Sequence, residues 1–455
     1  MTDPGPGPGP VPQRCTLVLP SSDAFDSRSW RIATALAARG HEVTIVARRT
    51  EGQPATERFA DGYEVVRVDV SAIDGLPRPL RGIVRRLRGG STGAQSRAQT
   101  TTGAGSAAAR GGSAVARSGV IGRLRAGIAG AVRLAAIGLA VRSQRLGARP
   151  LAPRSDLIHA MAYMGIPVGL DLGRRDRVPV LYDARDIYVD AANVARLPRP
   201  ARRLFGLAER RWARQASRVV TVNRPYADVM AERFGVPLPL IVMNCSYAPP
   251  ADPVRGRRFH DALGLPPTTR VVLYQGGFSR DRGIEQLIEA LPSLPADSVL
   301  VLLGYGVLQA ELEARAASPE AARHLFVLSA VPPADLLDWV GSADVVAMPI
   351  QPTTLNHRLT TPNKLFEAMA AGVPVVASDL PGMAGIVRDT GCGVLCDPSS
   401  PASIATAIRT ILDAPPKERE AYRRRALDAV RATYNWDSQA AILFAEYGRL
   451  TGKPW

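Results

Sequence analysis

Lysine is almost missing from this chain of 455 residues: Lys364, Lys417 and Lys453 are the only three among 57 basic residues. Positive charge is therefore carried by arginine, whose planar fork grips phosphate better than an ammonium does. Aromatic residues are sparse at 5%, so the stacking platforms that single-strand nucleic-acid binders set beside basic patches are lacking. Four cysteines, Cys15, Cys245, Cys392 and Cys396, are too few for a disulfide scaffold. Cys392 and Cys396 have no second pair and no nearby histidine, and read as small buried residues rather than zinc ligands. No run of about 18 apolar residues occurs, and no membrane-spanning helix is expected. The opening MTDPGPGPGPVPQ carries an acid and prolines where a secretory leader needs positive charge and an apolar core. Residues 1–13 read as a disordered tail, and the chain as cytoplasmic.

Acidic residues are missing from one long interval. Between Asp74 and Asp156 there is none, while residues 75–155 hold fifteen arginines. The formal net charge of +16 thus sits almost entirely in this stretch. We read 76–155 as an insertion. Its middle, GGSTGAQSRAQTTTGAGSAAARGGS, is low-complexity and flexible in composition. After it, Val120, Ile121, Leu124, Ile128, Val132, Ala135 and Leu139 recur at helical steps, with Arg117, Arg125, Arg133 and Arg142 between them. A basic amphipathic helix of this kind can lie on an anionic membrane at the inner face of the cell. Equally, it can pack its apolar stripe on a domain and leave the arginines in water. Nucleic acid is the disfavoured third partner.

What the chain does have is alternation of strands and helices. The runs RCTLVLP (14–20), EVTIVAR (42–48), YEVVRV (63–68), DLIHA (156–160), VPVLYDA (178–184) and RVVTV (218–222) read as strands. A second series holds RVVLYQG (270–276), VLVLLG (299–304), HLFVL (324–328), DVVAMPI (344–350) and VPVVAS (373–378). Helix-length segments between strands imply parallel sheets with right-handed crossovers. The class is α/β, with two Rossmann-like doubly wound domains facing a cleft. An N-terminal domain is expected over 14–246 and a C-terminal one over 254–433, joined at YAPPADP (247–253), with a final helix over 434–455. Ligands of such sheets lie beyond the carboxyl ends of the strands.

Gly276, Gly277, Gly304 and Gly306 follow strands and let backbone approach a phosphate, or merely make turns. They fit neither a dinucleotide fingerprint nor a P-loop, so nicotinamide and ATP sites are not supported. The informative stretch is TTPNKLFEAMAAGVPVVASD (360–379). Pro362 and Asn363 open a short helix that carries Lys364 and Glu367 on one face. A cation and a carboxylate at a helix start suit a phosphate and a vicinal diol; a surface Lys–Glu pair is the plainer alternative.

NKLFEAMAAGVPVVASDLPG (363–382) resembles the signature of glycosyltransferase family 4 (group 1), the retaining nucleotide-sugar transferases of the GT-B fold. DSRSWRIATALAARGHEVTIVAR (26–48), YQGGFSRDRGIEQLIEAL (274–291), VPPADLLDWVGSADVVAMPI (331–350) and YNWDSQAAILFAEYGRL (434–450) are similar to further parts of it. The resemblance implies that Glu367 holds the donor ribose and Arg282 the diphosphate. Gly277 stands where the family has a second basic residue, and Arg280 or Lys364 can supply that charge. Leu359 replaces a glutamate and Met161 a histidine of the family pattern, while His159 keeps the preceding position or serves to place the strand. Acceptor-side candidates are Asp26, Arg28, His159, Asp183, Arg185 and Asp186. For Asp26 a helix cap, and for Asp183 and Arg185 a buried ion pair, are the alternatives. The resemblance implies a UDP- or GDP-sugar donor, a carbohydrate or lipid-linked acceptor, and no metal or other cofactor. The implied activity is sugar transfer with retention in envelope polysaccharide or glycolipid synthesis. A catalytically inactive protein that binds sugar nucleotide or membrane is the alternative.

Overall fold

The computed structural model describes residues 11–23, 26–71, 120–249, 251–253, 255–321 and 323–455. Residues 1–10 of the tail expected over 1–13, and residues 76–119 of the insertion with its low-complexity middle, lie outside them; Gln13, by contrast, is buried and donates its backbone amide to His41 Nδ1 at 3.2 Å. The chain divides into two units. The first takes residues up to Val222 with Tyr226–Val242 and Ala440–Trp455; the second takes Asn223–Pro225 and Met243–Gln439.

The first unit is built on β1 (Arg14–Val18), β2 (Glu42–Arg48), β3 (Thr56–Arg58), β4 (Glu64–Val68), β5 (Leu157–Met161), β6 (Val180–Asp183), β7 (Arg218–Thr221) and β8 (Leu240–Ile241). They form an eight-stranded sheet in the order β3-β4-β2-β1-β5-β6-β7-β8. Every pairing is parallel except β3 with β4. Cys15–Val18 and all five residues of β5 are buried, as expected of parallel strands covered on both faces. The strand order reverses at β1 and β5. Helix α1 (Ser27–Ala37) follows β1 and is capped by Asp26, whose side chain accepts from the Ser29 amide.

The connection from β4 to β5 carries the expected insertion. Its described helix, α2 (Val120–Leu151), is built into the unit at its carboxyl end. Gln144 donates to the Leu19 carbonyl at 2.6 Å, and the Ser143 hydroxyl accepts from the Ser71 amide at 3.2 Å. At Gly147 an added Cβ would stand 2.3 Å from a Val68 methyl. Residues 143–148 therefore belong to the crossover that the sheet needs. Of the expected apolar stripe, Val132 is 62% exposed, Ala135 is exposed and Leu139 half-buried, while Gly130, Ser143, Gln144 and Ala148 are buried. Arg145 and Arg149 of α2 pair with Asp171 of α3 (Ala162–Asp176), at 4.0 and 3.0 Å. The packed alternative holds for this part of the helix.

The second unit holds β9 (Arg270–Gly277), β10 (Ser298–Tyr305), β11 (Leu325–Ser329), β12 (Val345–Met348), β13 (Val375–Ser378) and β14 (Gly393–Cys396). Its sheet is wholly parallel, in the order β11-β10-β9-β12-β13-β14. Alternate residues feed two cores. Val271, Leu273, Val299 and Val301 pack on one face, Val272, Tyr274, Leu300 and Leu302 on the other. Each such side chain contributes roughly 1.5–3 kcal/mol by leaving water. The order reverses between β9 and β12, the switch point where such sheets bind ligands beyond their carboxyl ends. All four cysteines are buried free thiols.

Candidate functional site

At the carboxyl end of β9 the last residues gather the motif helix α4 (Asn363–Ala370). The Lys364 ammonium lies 3.8 Å from the centre of the Tyr274 ring. It also lies against Gly276, where an added Cβ would come within 3.4 Å of Nζ. Tyr274 is fixed beneath it, donating its hydroxyl proton to the Gly277 carbonyl at 3.0 Å. Gln275, buried at 3% exposure, donates Nε2–H to Glu367 Oε2 at 2.7 Å. The helical spacing of Lys364 and Glu367 thus meets three consecutive strand-end residues. Pro362 gives the helix no side-chain cap, leaving its first amides to other partners.

The electrostatics are those of a site held ready for an anion. Burial lowers the Lys364 ammonium to about 7, the Arg282 guanidinium pushes in the same direction, and Glu367 opposes both. Two cations held together with one carboxylate are short of negative charge. Arg282 is half-buried in the loop after β9, Arg280 is exposed in it, and Gly276 and Gly277 are exposed. That loop is tightly tied. Asp281 takes φ 67° and accepts from the Gln351 amide. Gly283 takes φ 78°, and a Cβ there would stand 1.9 Å from the Pro349 carbonyl oxygen. Only glycine fits this left-handed turn against the end of β12. Gly304 and Gly306 pack on the backbone of Gly276 and Phe278, so they support the loop by close approach. Asn363 accepts from Asn244 Nδ2 at 2.9 Å. Sequence reasoning passed over Tyr274 and Gln275. The available signal was a polar side chain ending an otherwise apolar strand.

In the first unit, the acceptor-side candidates separate into two groups. Arg28, His159 and Asp183 are wholly buried. Arg28 donates to Asp183 at 2.6 and 3.3 Å and to the Val242 carbonyl at 2.9 Å. His159 Nε2 lies 3.1 Å from Asp183, and its Nδ1 lies 2.6 Å from the Tyr447 hydroxyl. Burial alone would raise the Asp183 carboxyl, but Arg28 and then His159 hold it far below the usual range. With no surface of their own, these three shape the unit from within. Asp26 and Arg185 form the second group, a bidentate pair at 2.9 and 2.7 Å with Arg185 23% exposed. Burial would raise the Asp26 carboxyl, and Arg185 holds it below its ordinary value. Asp26 is thus both cap and ion-pair partner. Asp186 is half-buried beyond β6.

The description "Glycosyl transferases group 1" matches residues 257–428, and "Glycosyl transferase 4-like domain" matches 26–245. The chain is 27% identical over 314 residues to the D-inositol 3-phosphate glycosyltransferase of Xylanimonas cellulosilytica, covering 65% of this chain and 72% of that one. Its counterpart in Acidothermus cellulolyticus is 28% identical over 313 residues, 64% and 66% of the two chains. Among solved structures, sucrose-phosphate synthase of Thermosynechococcus elongatus superposes with a TM-score of 0.68 at 19% identity, over 97% and 99% of the chains. Anabaena HepE in complex with UDP-glucose does so with a TM-score of 0.64 at 16% identity, over 96% and 100%. With a family description matched on each side of the joint and two parallel sheets of the same architecture, the chain belongs to glycosyltransferase family 4 (group 1), on the GT-B fold.

Proposed function

We propose that the chain transfers a sugar from a nucleotide-sugar donor to an acceptor hydroxyl with retention, without a metal or other cofactor. The observation that carries this reading is the cluster of Lys364, Arg282 and Glu367 on the end of β9, with its excess of positive charge. Glu367 offers carboxylate oxygens to the ribose diol, and Pro362 and Asn363 open the helix toward the phosphates. The transition state is oxocarbenium-like, and negative charge grows on the leaving diphosphate. Fixed cations at that place lower the barrier most. The anomeric C–O bond to phosphate breaks, the acceptor oxygen bonds to the anomeric carbon, and its proton passes to the departing diphosphate. UDP is the favoured nucleotide over GDP, on the likeness to the UDP-glucose complex. The acceptor we propose is a carbohydrate or lipid-linked one in envelope synthesis. The arginine-rich 76–155 segment would hold a cytoplasmic enzyme at the inner membrane face. Among the described residues no helix is long and apolar enough to cross a membrane.

Release of nucleoside diphosphate, measured across UDP-, GDP- and ADP-sugars with and without acceptors, tests the reading. Glu367→Ala is expected to raise the donor KM by roughly 30-fold, the loss of a charged hydrogen bond to the diol. A panel in which no nucleotide sugar shifts the melting temperature or is turned over would refute it. Binding without turnover would support the inactive alternative, for which Leu359, Met161 and Gly277 are the motive.

Gln275 carries a second prediction. Its Oε1 is buried without a partner among the described residues, which costs about 1–3 kcal/mol. The residue is kept at that cost, in this reading, because its amide aims Glu367. Gln275→Leu should therefore leave stability equal or higher while the donor KM rises several-fold. Loss of stability with an unchanged KM would make it a packing residue only.

A further inference from the structure

The helix α5 (Arg199–Ala213) of the first unit buries Ala201, Phe205, Glu209 and Ala213. Its only acid, Glu209, is 1% exposed and accepts from the Tyr182 hydroxyl at 2.7 Å. At about 100° per residue, Arg203, Leu204, Leu207 and Arg211 fall within one arc facing away from that stripe. All four are exposed, with Leu204 at 62% and Leu207 at 61%. Arg199 and Arg214 are exposed beside them, the latter donating Nε–H to the Phe234 carbonyl at 2.7 Å. Among the described residues no carboxylate engages Arg199, Arg203 or Arg211. Helix α2 meets the start of α5, where a Cβ on Gly130 would stand 2.7 Å from Pro198. Just beyond that meeting point α2 exposes Val132 and Arg133.

We propose that the outward face of α5 is a docking surface for an anionic lipid bilayer. Two leucines held in water at more than half of their area cost free energy that an apolar partner returns. The arginines around them have the fork that takes phosphate bidentately and long stems that lie along acyl chains. A polynucleotide offers phosphate but no seat for paired leucines, and this arc has no aromatic ring on which a base could stack. An acidic protein would meet the charge, but the partner must also be continuous and apolar just beneath its anionic layer. A bilayer has that profile. The surface is folded, lies outside 76–155, and needs no sugar transfer to be tested.

The experiment is co-sedimentation of the full chain with phosphatidylcholine vesicles and with vesicles about one third phosphatidylglycerol. The chain is expected to bind the anionic vesicles and not the neutral ones. The R203Q/R211Q variant should weaken binding about 30-fold. The L204S/L207S variant should weaken it about tenfold while keeping the salt dependence. Both variants change exposed side chains, so unchanged thermal melting checks the fold. Wild-type affinity in both would overturn the proposal, as would equal binding to neutral vesicles. So would loss caused only by deleting 89–118, which would place the contact in the arginine-rich segment. If the leucine variant alone is silent, the face is a general polyanion surface and the bilayer assignment fails.

Discussion

Replacing Lys364 by methionine is expected to lower kcat/KM by roughly 100- to 1,000-fold, the range for removing one preorganised charge from a developing anion, while making the protein more stable. The two effects have one cause. Burial first, then Arg282, lowers the ammonium to about 7 from its ordinary 10.5, with Glu367 resisting. The folded state therefore holds the charged form at a cost, which the diphosphate of the proposed donor would offset. The sign follows from proton counting. Between about 7 and 10.5 the unfolded chain keeps a proton that the folded chain has released. The wild-type protein should then gain stability as pH rises through that window, and carry the full penalty below it. The methionine variant should melt higher at pH 6 and lose this segment of the pH profile. Donor affinity of the wild-type enzyme should fall as pH rises above 7, because a neutral amine no longer attracts the diphosphate. Calorimetric donor titrations and thermal melts at pH 6 and 9 read both. A variant that melts lower at pH 6 would show that the charge is not costly, and one that keeps its turnover would show that it is not catalytic.

Much of the fold could be read from the chain because parallel strands covered on both faces are continuous apolar runs. RVVLY, VLVLL and DVVAM have few other interpretations. The strands that escaped notice are those without that signature. Thr56–Arg58 is half-exposed and antiparallel, Leu240–Ile241 is two residues long, and Gly393–Cys396 is glycine and cysteine at its ends. The inward face of α2 was hidden for the opposite reason. Among its described residues Gly130, Ser143, Gln144 and Ala148 are buried while the apolar Val132 is exposed, and small or polar residues carry no periodic signal. In the site, Lys364 and Glu367 were legible because helical spacing alone puts them together. Their supports were not, because Tyr274 and Gln275 reach them only through the tertiary meeting of a strand end and a helix ninety residues away in sequence.

Removal of the Asp183 carboxylate is expected to cost the first unit about 3–5 kcal/mol, the usual penalty for stranding a buried charge. Arg28 is wholly buried, and two of its three hydrogen bonds go to this carboxylate. Asp183→Ala would leave that guanidinium with the Val242 carbonyl alone, and would free the His159 edge that now faces Asp183 at 3.1 Å. At about 2–4 °C per kcal/mol for a unit of this size, the melting temperature of the first unit should fall by roughly 10 °C. The double variant R28M/D183L tests the cause. It removes both charges and fills the space with apolar atoms, so it should recover much of the loss. If the double variant is as unstable as the single one, packing rather than charge accounts for the effect. The pH dependence has a definite sign. A carboxyl whose folded value is depressed contributes stability that is complete above its ordinary range near 4 and is lost as pH falls further. Acid melting of the wild-type first unit should steepen below that value, and the double variant should lack this component. The network also reaches the surface. Asp183 ends β6 two residues before Arg185, which grips the Asp26 cap of α1. Loosening the buried charges should therefore disturb the half-buried pair next to them, so Asp183→Ala should impair use of the proposed acceptor more than donor binding.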